Sequence, residues 1–283
     1  MLSMRPAIEV KDLYFRYEEG DYVLREVNLT VQEGEVMALM GSNGAGKTTL
    51  IKHFNGLLKP IKGSVKVKGL DTREHSVAEL SRIVGLVFQN PDHQLFAETV
   101  EEELAFALRN FGYPEEVVRQ RVEWALTLMD LRKYRGRSPL SLSGGERKRV
   151  AIASVLCYDP EIIVFDEPTI GQDYYQKQKI AQLLKMLSKQ GKTVIVVTHD
   201  VEFVAENFNR VVVMANGRII ADGNVEEVLT DPKVIKEADL RPPQITECAW
   251  LLGDLGISKR IVRVEELVEE VVKLGGFSED KGL

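Results

Sequence analysis

The 283-residue sequence has no apolar stretch long enough to cross a membrane as a helix. Its longest apolar runs, Val36–Met40, 162–165 and 194–197, are far shorter than the ~18–20 apolar residues that span a bilayer. Residues 1–6 are also too short for a signal peptide before the first strand-like segment. We therefore expect a soluble, intracellular chain that is not itself a membrane channel.

The sequence also has few cysteines and no excess of basic over acidic residues. The two cysteines, Cys157 and Cys248, have no paired spacing, which argues against a zinc site and fits a reducing compartment. The 37 Lys and Arg residues are outnumbered by 43 Asp and Glu residues, so the formal net charge of −6 argues against nucleic acid as a partner. The length predicts one large domain, or one domain with an appendage.

Along the chain, hydrophobic patterns typical of strands alternate with patterns typical of helices. Short apolar or alternating runs predict strands at 8–15, 27–31, 36–40, 64–67, 83–88, 162–165, 193–197 and 210–214. Helical spacing is found between 98 and 131 with Pro114 in a first turn, at 174–189, and in a tail after Leu229 that includes 264–272. This order favours an α/β fold with a mainly parallel sheet and a helical insert.

Residues 41–48, with the sequence G-S-N-G-A-G-K-T, fit the phosphate-loop pattern between a buried strand and a helix. Glycines there let backbone N–H groups surround phosphates, and the helix start adds its positive dipole. Lys47 would reach the β- and γ-phosphates of a nucleotide, and the Thr48 hydroxyl would ligate Mg²⁺. The alternative is a glycine-rich turn without a ligand. The candidate nucleotide-binding residues in this segment are Gly41, Ser42, Asn43, Gly44, Ala45, Gly46, Lys47, Thr48 and Thr49.

The apolar run at 162–165 ends in two acidic residues, Asp166 and Glu167. Asp166 would hold Mg²⁺ through water beside the phosphate loop, and Glu167 would polarise an attacking water. A strand that merely ends in two acids is the alternative for this pair taken alone. Downstream of a phosphate loop, the catalytic interpretation is favoured.

A second anion-binding helix start is predicted at 142–146, L-S-G-G-E, where Ser143, Gly144 and Gly145 precede a helix. An ordinary capping box between Ser143 and Glu146 explains the same residues, and both interpretations can hold together. The chain thus has two phosphate-binding helix starts but one nucleotide motif. This suggests that the second start serves the nucleotide of another subunit.

In this order, the motifs resemble those of the nucleotide-binding subunits of ABC transporters over nearly the whole chain. Residues 41–48 match the Walker A motif, Asp166 and Glu167 the Walker B pair, and 142–146 the signature motif. Gln89 in F-Q-N matches the Q-loop, and His199 in V-T-H-D matches the switch histidine. Taken singly, a glutamine such as Gln89 is usually a surface residue, and a histidine such as His199 is usually structural.

The resemblance implies an ATP hydrolase with ATP and Mg²⁺ as cofactors. Its implied catalytic residues are Glu167, His199 and Gln89, and its implied metal ligands are Thr48, Gln89 and Asp166. Ser143, Gly144, Gly145 and Glu146 would contact ATP bound to the other subunit of a dimer. Tyr17 matches the aromatic residue that stacks on adenine, and Tyr22 competes with it for that role.

For the fold, the resemblance implies an ABC cassette of the P-loop NTPase class at 1–229. Such a cassette has a RecA-like core, an antiparallel β subdomain and a helical subdomain, here at about 90–160. Residues 230–283 would form a small C-terminal helical extension that serves dimerisation. One departure is Gln172, which stands where the family's D-loop has an aliphatic residue before Asp173. This polar substitution could alter coupling across the dimer.

Residues 88–96 and 99–106, together with L-R-P-P at 240–243, look like segments of energy-coupling factor (ECF) importers. In that family the extension helps two ATPase subunits associate, and the Q-loop region docks onto basic helices of a membrane transmitter subunit. Five acids here suit such helices, although a solvated helix start explains them equally well. They are Asp92, Glu98, Glu101, Glu102 and Glu103.

We therefore expect a peripheral ATPase at the cytoplasmic face of the cell membrane that energises import of a vitamin or a transition-metal ion. Its partners would be a second ATPase subunit, identical or paralogous, and transmitter and substrate-binding membrane subunits. The sequence leaves the transported substrate open. The alternative is a soluble ABC ATPase that acts as a mechanical or scaffold protein without a membrane partner.

Overall fold

A computed structural model describes residues 6–275 of the protein. This part of the chain forms ten strands and eleven α-helices. The strands are β1 (Pro6–Phe15), β2 (Leu24–Gln32), β3 (Val36–Met40), β4 (Lys62–Val67), β5 (Leu70–Asp71), β6 (Val84–Val87), β7 (Ile162–Asp166), β8 (Thr193–Val197), β9 (Arg210–Ala215) and β10 (Arg218–Asn224). The helices are α1 (Lys47–Phe54), α2 (Val77–Leu80), α3 (Val100–Asn110), α4 (Glu115–Leu128), α5 (Gly144–Cys157), α6 (Tyr174–Lys189), α7 (Val201–Asn207), α8 (Val225–Leu229), α9 (Pro232–Glu237), α10 (Gln244–Leu251) and α11 (Val264–Leu274).

These elements belong to two compact units, and the chain enters each unit twice. The first unit contains residues 6–35 and 48–197. The second contains residues 36–47 and 198–275. The boundary between Lys47 and Thr48 falls in the first turn of α1, so the two residues are covalent neighbours in different units.

An antiparallel sheet in the first unit has the strand order β2-β1-β4-β5. Along β2, Val27, Leu29 and Val31 are buried while the residues between them are exposed. This alternation confirms the half-exposed strand predicted at 27–31, because successive side chains of a strand point to opposite faces.

Parallel pairing dominates the remaining strands of both units. In the first unit β6, β7 and β8 run parallel to one another, and all their residues are buried. In the second unit β3 pairs in parallel with β9, and β10 adds an antiparallel edge to β9. The mainly parallel sheet of an α/β fold is thereby confirmed, since strands covered on both faces read as continuous apolar runs.

Three helices of the first unit, α3, α4 and α5, share a core that includes Leu104, Val122 and Val150. Their packing explains why the hydrophobic period changes between 98 and 131. Helix α4 begins one residue later than predicted, because Pro114 occupies its N-cap position and Glu115 is the first helical residue.

The C-terminal helices of the second unit have a small core of their own. Ala249, Ile257 and Ile261 are buried there, and Leu267 of α11 packs against them. Other members of the predicted apolar stripe of α11 remain exposed, among them Val268 at 54%. Residues 276–283, the end of the predicted extension, lie outside the described residues. None of the helices within 6–275 combines the length and the apolar character needed to cross a bilayer.

Candidate nucleotide-binding site

The loop between β3 and α1 requires glycine at Gly41, where the backbone has φ +143°. A Cβ atom at this position would stand 2.2 Å from the carbonyl oxygen of Met214, which is closer than any side chain tolerates. Gly44 and Gly46 also have positive φ values of 83° and 100°. The glycines of the predicted phosphate loop are thus required by its backbone, because residues with a Cβ rarely adopt these angles.

Lys47 closes this loop from its C-terminal end. Its Nζ donates hydrogen bonds to the carbonyl oxygens of Gly41 at 2.7 Å and Ser42 at 2.9 Å, and the side chain is buried. The cation therefore lies inside the curve of the loop, beside the backbone N–H groups at the start of α1. An ammonium held at the start of a helix, where the first N–H groups have no partner within the helix, is suited to a di- or triphosphate.

The next residue, Thr48, belongs to the first unit and meets the predicted Walker B aspartate. Its hydroxyl donates to Oδ2 of Asp166 at 3.0 Å, and Asp166 is buried at the end of β7. A hydroxyl and a carboxylate are oxygen ligands that suit Mg²⁺. No group of three or more His, Cys, Asp or Glu side chains suited to a metal exists within 6–275. An ion held by these two residues would complete its shell with phosphate and water, as Mg²⁺ commonly does.

Glu167 follows Asp166 with its side chain buried and its backbone in the left-handed region at φ +50°. Its N–H donates to the carbonyl oxygen of Val197 at 2.8 Å, and its own carbonyl oxygen accepts a hydrogen bond from Nζ of Lys148. Burial lowers the pKa of Lys148, and the charges of Glu167 and Asp166 oppose that shift. The motifs do not point to Lys148, because its contact depends on how α5 packs against the end of β7.

Gln89 lies just after β6 and is exposed. Within residues 6–275 its side chain makes no hydrogen bond to Thr48 or Asp166, and its role as a metal ligand stays a prediction. Gln94 instead anchors this loop to α5. Its Oε1 accepts from Phe88 N–H at 3.2 Å, and its Nε2 donates to the carbonyl oxygen of Ala151 at 2.8 Å.

Of the two candidate tyrosines, Tyr17 lies next to the start of α1. Its hydroxyl is 3.2 Å from Oγ1 of Thr49, and its ring is 49% exposed. Tyr22 instead packs edge-on against Tyr14, with ring centroids 5.5 Å apart, and Arg16 lies over its ring. An exposed ring beside a phosphate-loop helix is suited to stacking on a base.

The predicted signature segment begins α5 with a complete capping box. Ser143 N–H donates to Oε2 of Glu146 at 2.9 Å, and Glu146 N–H donates to Oγ of Ser143 at 3.4 Å. Hydrogen bonds from the Tyr134 hydroxyl and from Ser143 lower the pKa of Glu146 to about 2. Ser143 and Gly144 are exposed. The capping interpretation therefore holds, and the same segment still presents an accessible helix start.

His199 and the D-loop occupy turns that precede helices. His199 is exposed in the second unit between Thr198, whose N–H donates to Leu39 at 3.1 Å, and Asp200, which caps α7. In the first unit Asp173 caps α6, and Gln172 N–H donates to the carbonyl oxygen of Thr169 at 3.1 Å. The catalytic role of His199 and the effect of Gln172 stay predictions.

Most of the acidic stretch predicted to meet a partner is engaged within the chain. Glu103 is buried, and its Oε2 accepts from the N–H groups of Phe96 at 2.9 Å and Ala97 at 2.8 Å. Glu101 pairs with Arg135 at 2.6 Å, and this guanidinium lowers the pKa of Glu101. These two acids therefore stabilise the fold of the loop and of α3.

Two exposed aromatic rings lie in this stretch and just after it. Phe96 is 60% exposed and Phe106 is 46% exposed, and their rings form an edge-to-face pair with centroids 4.6 Å apart. Glu98 and Glu102 are exposed and form no ion pair within the described range. Asp92 lies 3.4 Å from Arg147. We name Phe96, Glu98, Glu102 and Phe106 the aromatic patch.

Comparison with known proteins shows the family of the chain. Residues 24–170 match the family model described as ABC transporter. The chain belongs to the ABC transporter family. It is an ABC ATPase with the ATP-binding cassette fold, and ATP is its nucleotide.

Several relatives of this ABC ATPase cover most of the chain. It is 46% identical to the energy-coupling factor transporter ATP-binding protein EcfA of Methanocaldococcus jannaschii, over 87% of this chain and 89% of that protein. The EcfA of Methanothermobacter thermautotrophicus is 42% identical over 95% of this chain and 88% of its own length. A putative ABC transporter ATP-binding protein of Caldanaerobacter subterraneus is 44% identical over 92% of this chain, which spans only 45% of that protein.

Solved structures of similar proteins extend the comparison. cbiO1 from Clostridium perfringens, described as part of the ABC transporter complex cbiONQ, has a TM-score of 0.72 and 36% identity over 85% of this chain and 97% of its own. An ATP-binding cassette solved as a dimer in a post-hydrolysis state with ADP and Pi has a TM-score of 0.70 and 33% identity, over 77% of this chain and 98% of its own.

Proposed function

We propose that the protein is the ATP-binding and ATP-hydrolysing subunit of an ECF-type importer for a vitamin or a transition-metal ion. The observation that carries this proposal is the 46% identity to EcfA over 87% of the chain. The similarity to cbiO1 of a cbiONQ transporter complex supports the same class of assembly. In such an assembly the chain would work at the cytoplasmic face of the membrane, on membrane subunits that bind and translocate the substrate.

ATP binding would use the phosphate loop and the start of α1. The ammonium of Lys47 and the backbone N–H groups of the loop offer charge-assisted hydrogen bonds to the phosphates. Tyr17 would stack on adenine, and its position beside Thr49 supports that role better than the position of Tyr22 does. Mg²⁺ held near Thr48 and Asp166, with Gln89 as a further ligand on loop movement, would neutralise charge on the phosphates.

Hydrolysis would depend on Glu167, whose carboxylate follows Asp166 at the end of β7. A carboxylate that orients or deprotonates water contributes about 10²–10⁴-fold to such a reaction. His199 would stabilise the γ-phosphate end of ATP, and Gln89 would report the state of the nucleotide to the rest of the transporter. These roles come from the motif resemblance.

A second subunit would complete each ATP site through Ser143, Gly144 and Gly145. Their accessible helix start supports this role, because it offers N–H groups and a positive dipole to an anion outside the chain. ATP would then bind the closed pair of subunits better than the open pair and shift the population toward closure. The dimeric structure of a similar cassette with ADP and Pi supports such a pair.

The C-terminal helices would add a contact between the two ATPase subunits. Leu251, Leu255 and Val268 are 84%, 67% and 54% exposed, and large exposed apolar surfaces often mark protein interfaces. We therefore keep residues 230–283 as a proposed dimerisation extension of a cassette at 1–229.

The aromatic patch would dock onto the membrane transmitter subunit. Aromatic residues are enriched at interface centres, and the exposed Glu98 and Glu102, close to the two rings in the sequence, suit a basic partner helix. Changing Phe96 and Phe106 to Ala should uncouple substrate uptake from ATP hydrolysis while basal ATPase activity persists. The matched control is Phe111→Ala, since Phe111 packs against Tyr158 instead.

The experiment that tests the proposed function is purification of the chain from membranes of its own source, with and without the two Phe→Ala changes. Mass spectrometry should find a polytopic transmitter protein and a substrate-binding membrane protein with the parent, and neither with the double variant. Recovery of the parent without membrane proteins would favour the soluble mechanical ATPase.

A further inference from the structure

Lys148 is a buried cation that none of the recognised motifs explains. It lies in α5, is 7% exposed, and donates a hydrogen bond to the main-chain carbonyl oxygen of Glu167. It forms no ion pair within residues 6–275, although the carboxylates of Glu167 and Asp166 are near enough to act on its charge. Because burial of an ammonium is costly without compensation, these two carboxylates account for its presence.

The backbone of Glu167 has an unfavourable conformation that neighbouring residues must stabilise. Its φ of +50° lies in the left-handed region that residues with a Cβ rarely adopt, and the following residue, Pro168, restricts it further. Hydrogen bonds hold this residue on both sides, from its N–H to Val197 and from Lys148 to its carbonyl oxygen. Strained conformations persist only where their surroundings determine them.

We infer that Lys148 is a positioning residue for ATP hydrolysis, which holds the Glu167 peptide and thereby the orientation of its carboxylate. The inference rests on the proposed catalytic role of Glu167. Lys148 and Ser143 lie on the same helix start, little more than one turn apart. A shift of α5 when Ser143 meets the nucleotide of the second subunit would therefore reach Glu167 through this lysine.

The test compares Lys148→Met with the matched control Lys179→Met in the full chain. Lys179 lies on α6, is exposed, and stacks on Tyr175 at 4.7 Å. Lys148→Met should lower kcat about 10–100-fold, the usual effect of losing a residue that orients a reactive group. KM and the ATP affinity measured by calorimetry should stay at the parent values. Lys179→Met should match the parent, and a parent-level kcat for Lys148→Met would overturn the inference.

A double-mutant cycle separates positioning from a structural role. If Lys148 acts through Glu167, then Lys148→Met should not lower the residual rate of Glu167→Gln any further. Two losses that multiply would contradict the inference. Lys148→Arg keeps a cationic donor and should recover part of the lost kcat. A folded Lys148→Arg chain that binds ATP but is as slow as Lys148→Met would also contradict it.

Two outcomes distinguish this inference from the proposed function. A parent rate in Glu167→Gln alone would overturn the catalytic assignment of Glu167. An inactive Glu167→Gln with a fully active Lys148→Met would overturn only the role of Lys148. If Lys148→Met melts at a much lower temperature than the parent, the cycle is measured at a temperature at which all four chains are folded.

Discussion

The starts of α1 and α5 both offer backbone N–H groups to an anion, yet their surroundings differ. At α1 the loop encloses its own cation, because Lys47 is buried and bonded to the carbonyl oxygens of Gly41 and Ser42. At α5 the segment 142–146 contains no basic residue, Ser143 is exposed, and Glu146 caps the helix from within the chain. We therefore predict that the start of α1 binds a nucleotide within one chain, whereas the start of α5 completes the site of another chain.

The glycines of the two segments show the same contrast. A Cβ at Gly41 would meet the Met214 carbonyl oxygen at 2.2 Å, so the fold itself requires glycine there. At Gly144 and Gly145 a Cβ would meet nothing within 4 Å, and neither residue has a positive φ. Packing within the described chain therefore does not require these two glycines. Close approach of a ligand or another subunit would explain them.

The largest effect is expected from loss of the enclosed cation. Lys47→Ala should weaken ATP binding about 100-fold or more, because charge-assisted contacts to phosphate contribute about 1.5–3 kcal/mol each. Isothermal calorimetry of the full chain measures this affinity. Lys52→Ala, on the same helix, is the control and should bind as the parent does. Unchanged affinity in Lys47→Ala would refute the phosphate-loop assignment.

Substitution of the glycines in the two segments should affect different properties, stability at Gly41 and association at Gly145. Gly41→Ala should lower the free energy of unfolding by about 2–4 kcal/mol through strain and overpacking. Gly145→Ala should unfold at nearly the parent temperature but reduce association in the presence of ATP. Thermal melts measure the stability of each variant, and light scattering measures its association in the presence of ATP. A large loss of stability in Gly145→Ala would show that the chain itself needs this glycine.

The smallest effect concerns the charge of the α5 cap. The lowered pKa of Glu146 means that its carboxylate stabilises the fold fully above pH 4.5, and that this contribution is lost as pH falls toward about 2. Glu146→Gln keeps the capping geometry but not the charge. Urea denaturation should show the parent more stable at pH 7, with a difference that narrows below pH 4.5. A difference in stability that does not change with pH would contradict an origin in the charge of Glu146.

Sequence patterns predicted the buried strands and the phosphate loop well. The bounds of β3, β8 and α6 agree with the predictions, because each is a continuous apolar run or an amphipathic helical stripe. Strand β10 was not predicted. Its residues are partly exposed without a clear alternation, so it has no strong periodic signal.

The supporting contacts of the site could not be read from the sequence. Lys148 and Gln94 act through partners that are distant in the chain, at Glu167 and Ala151 respectively. The contacts of the acidic stretch within the chain could not be predicted either, because the burial of Glu103 and the ion pair of Glu101 depend on how the loop packs. Of these supporting residues, only Gln94 could have been suspected from the sequence, because it is a second glutamine soon after Gln89.

The most direct test of the central claim is the mass of Glu167→Gln by light scattering with Mg-ATP. The protein concentration is chosen so that this variant is a monomer without nucleotide. The account predicts a doubled mass with ATP, and a return to the monomer mass when Gly145→Arg is added, with ATP affinity unchanged. A double variant that still doubles its mass, or that loses ATP binding, would contradict the claim that α5 serves the nucleotide of a second subunit.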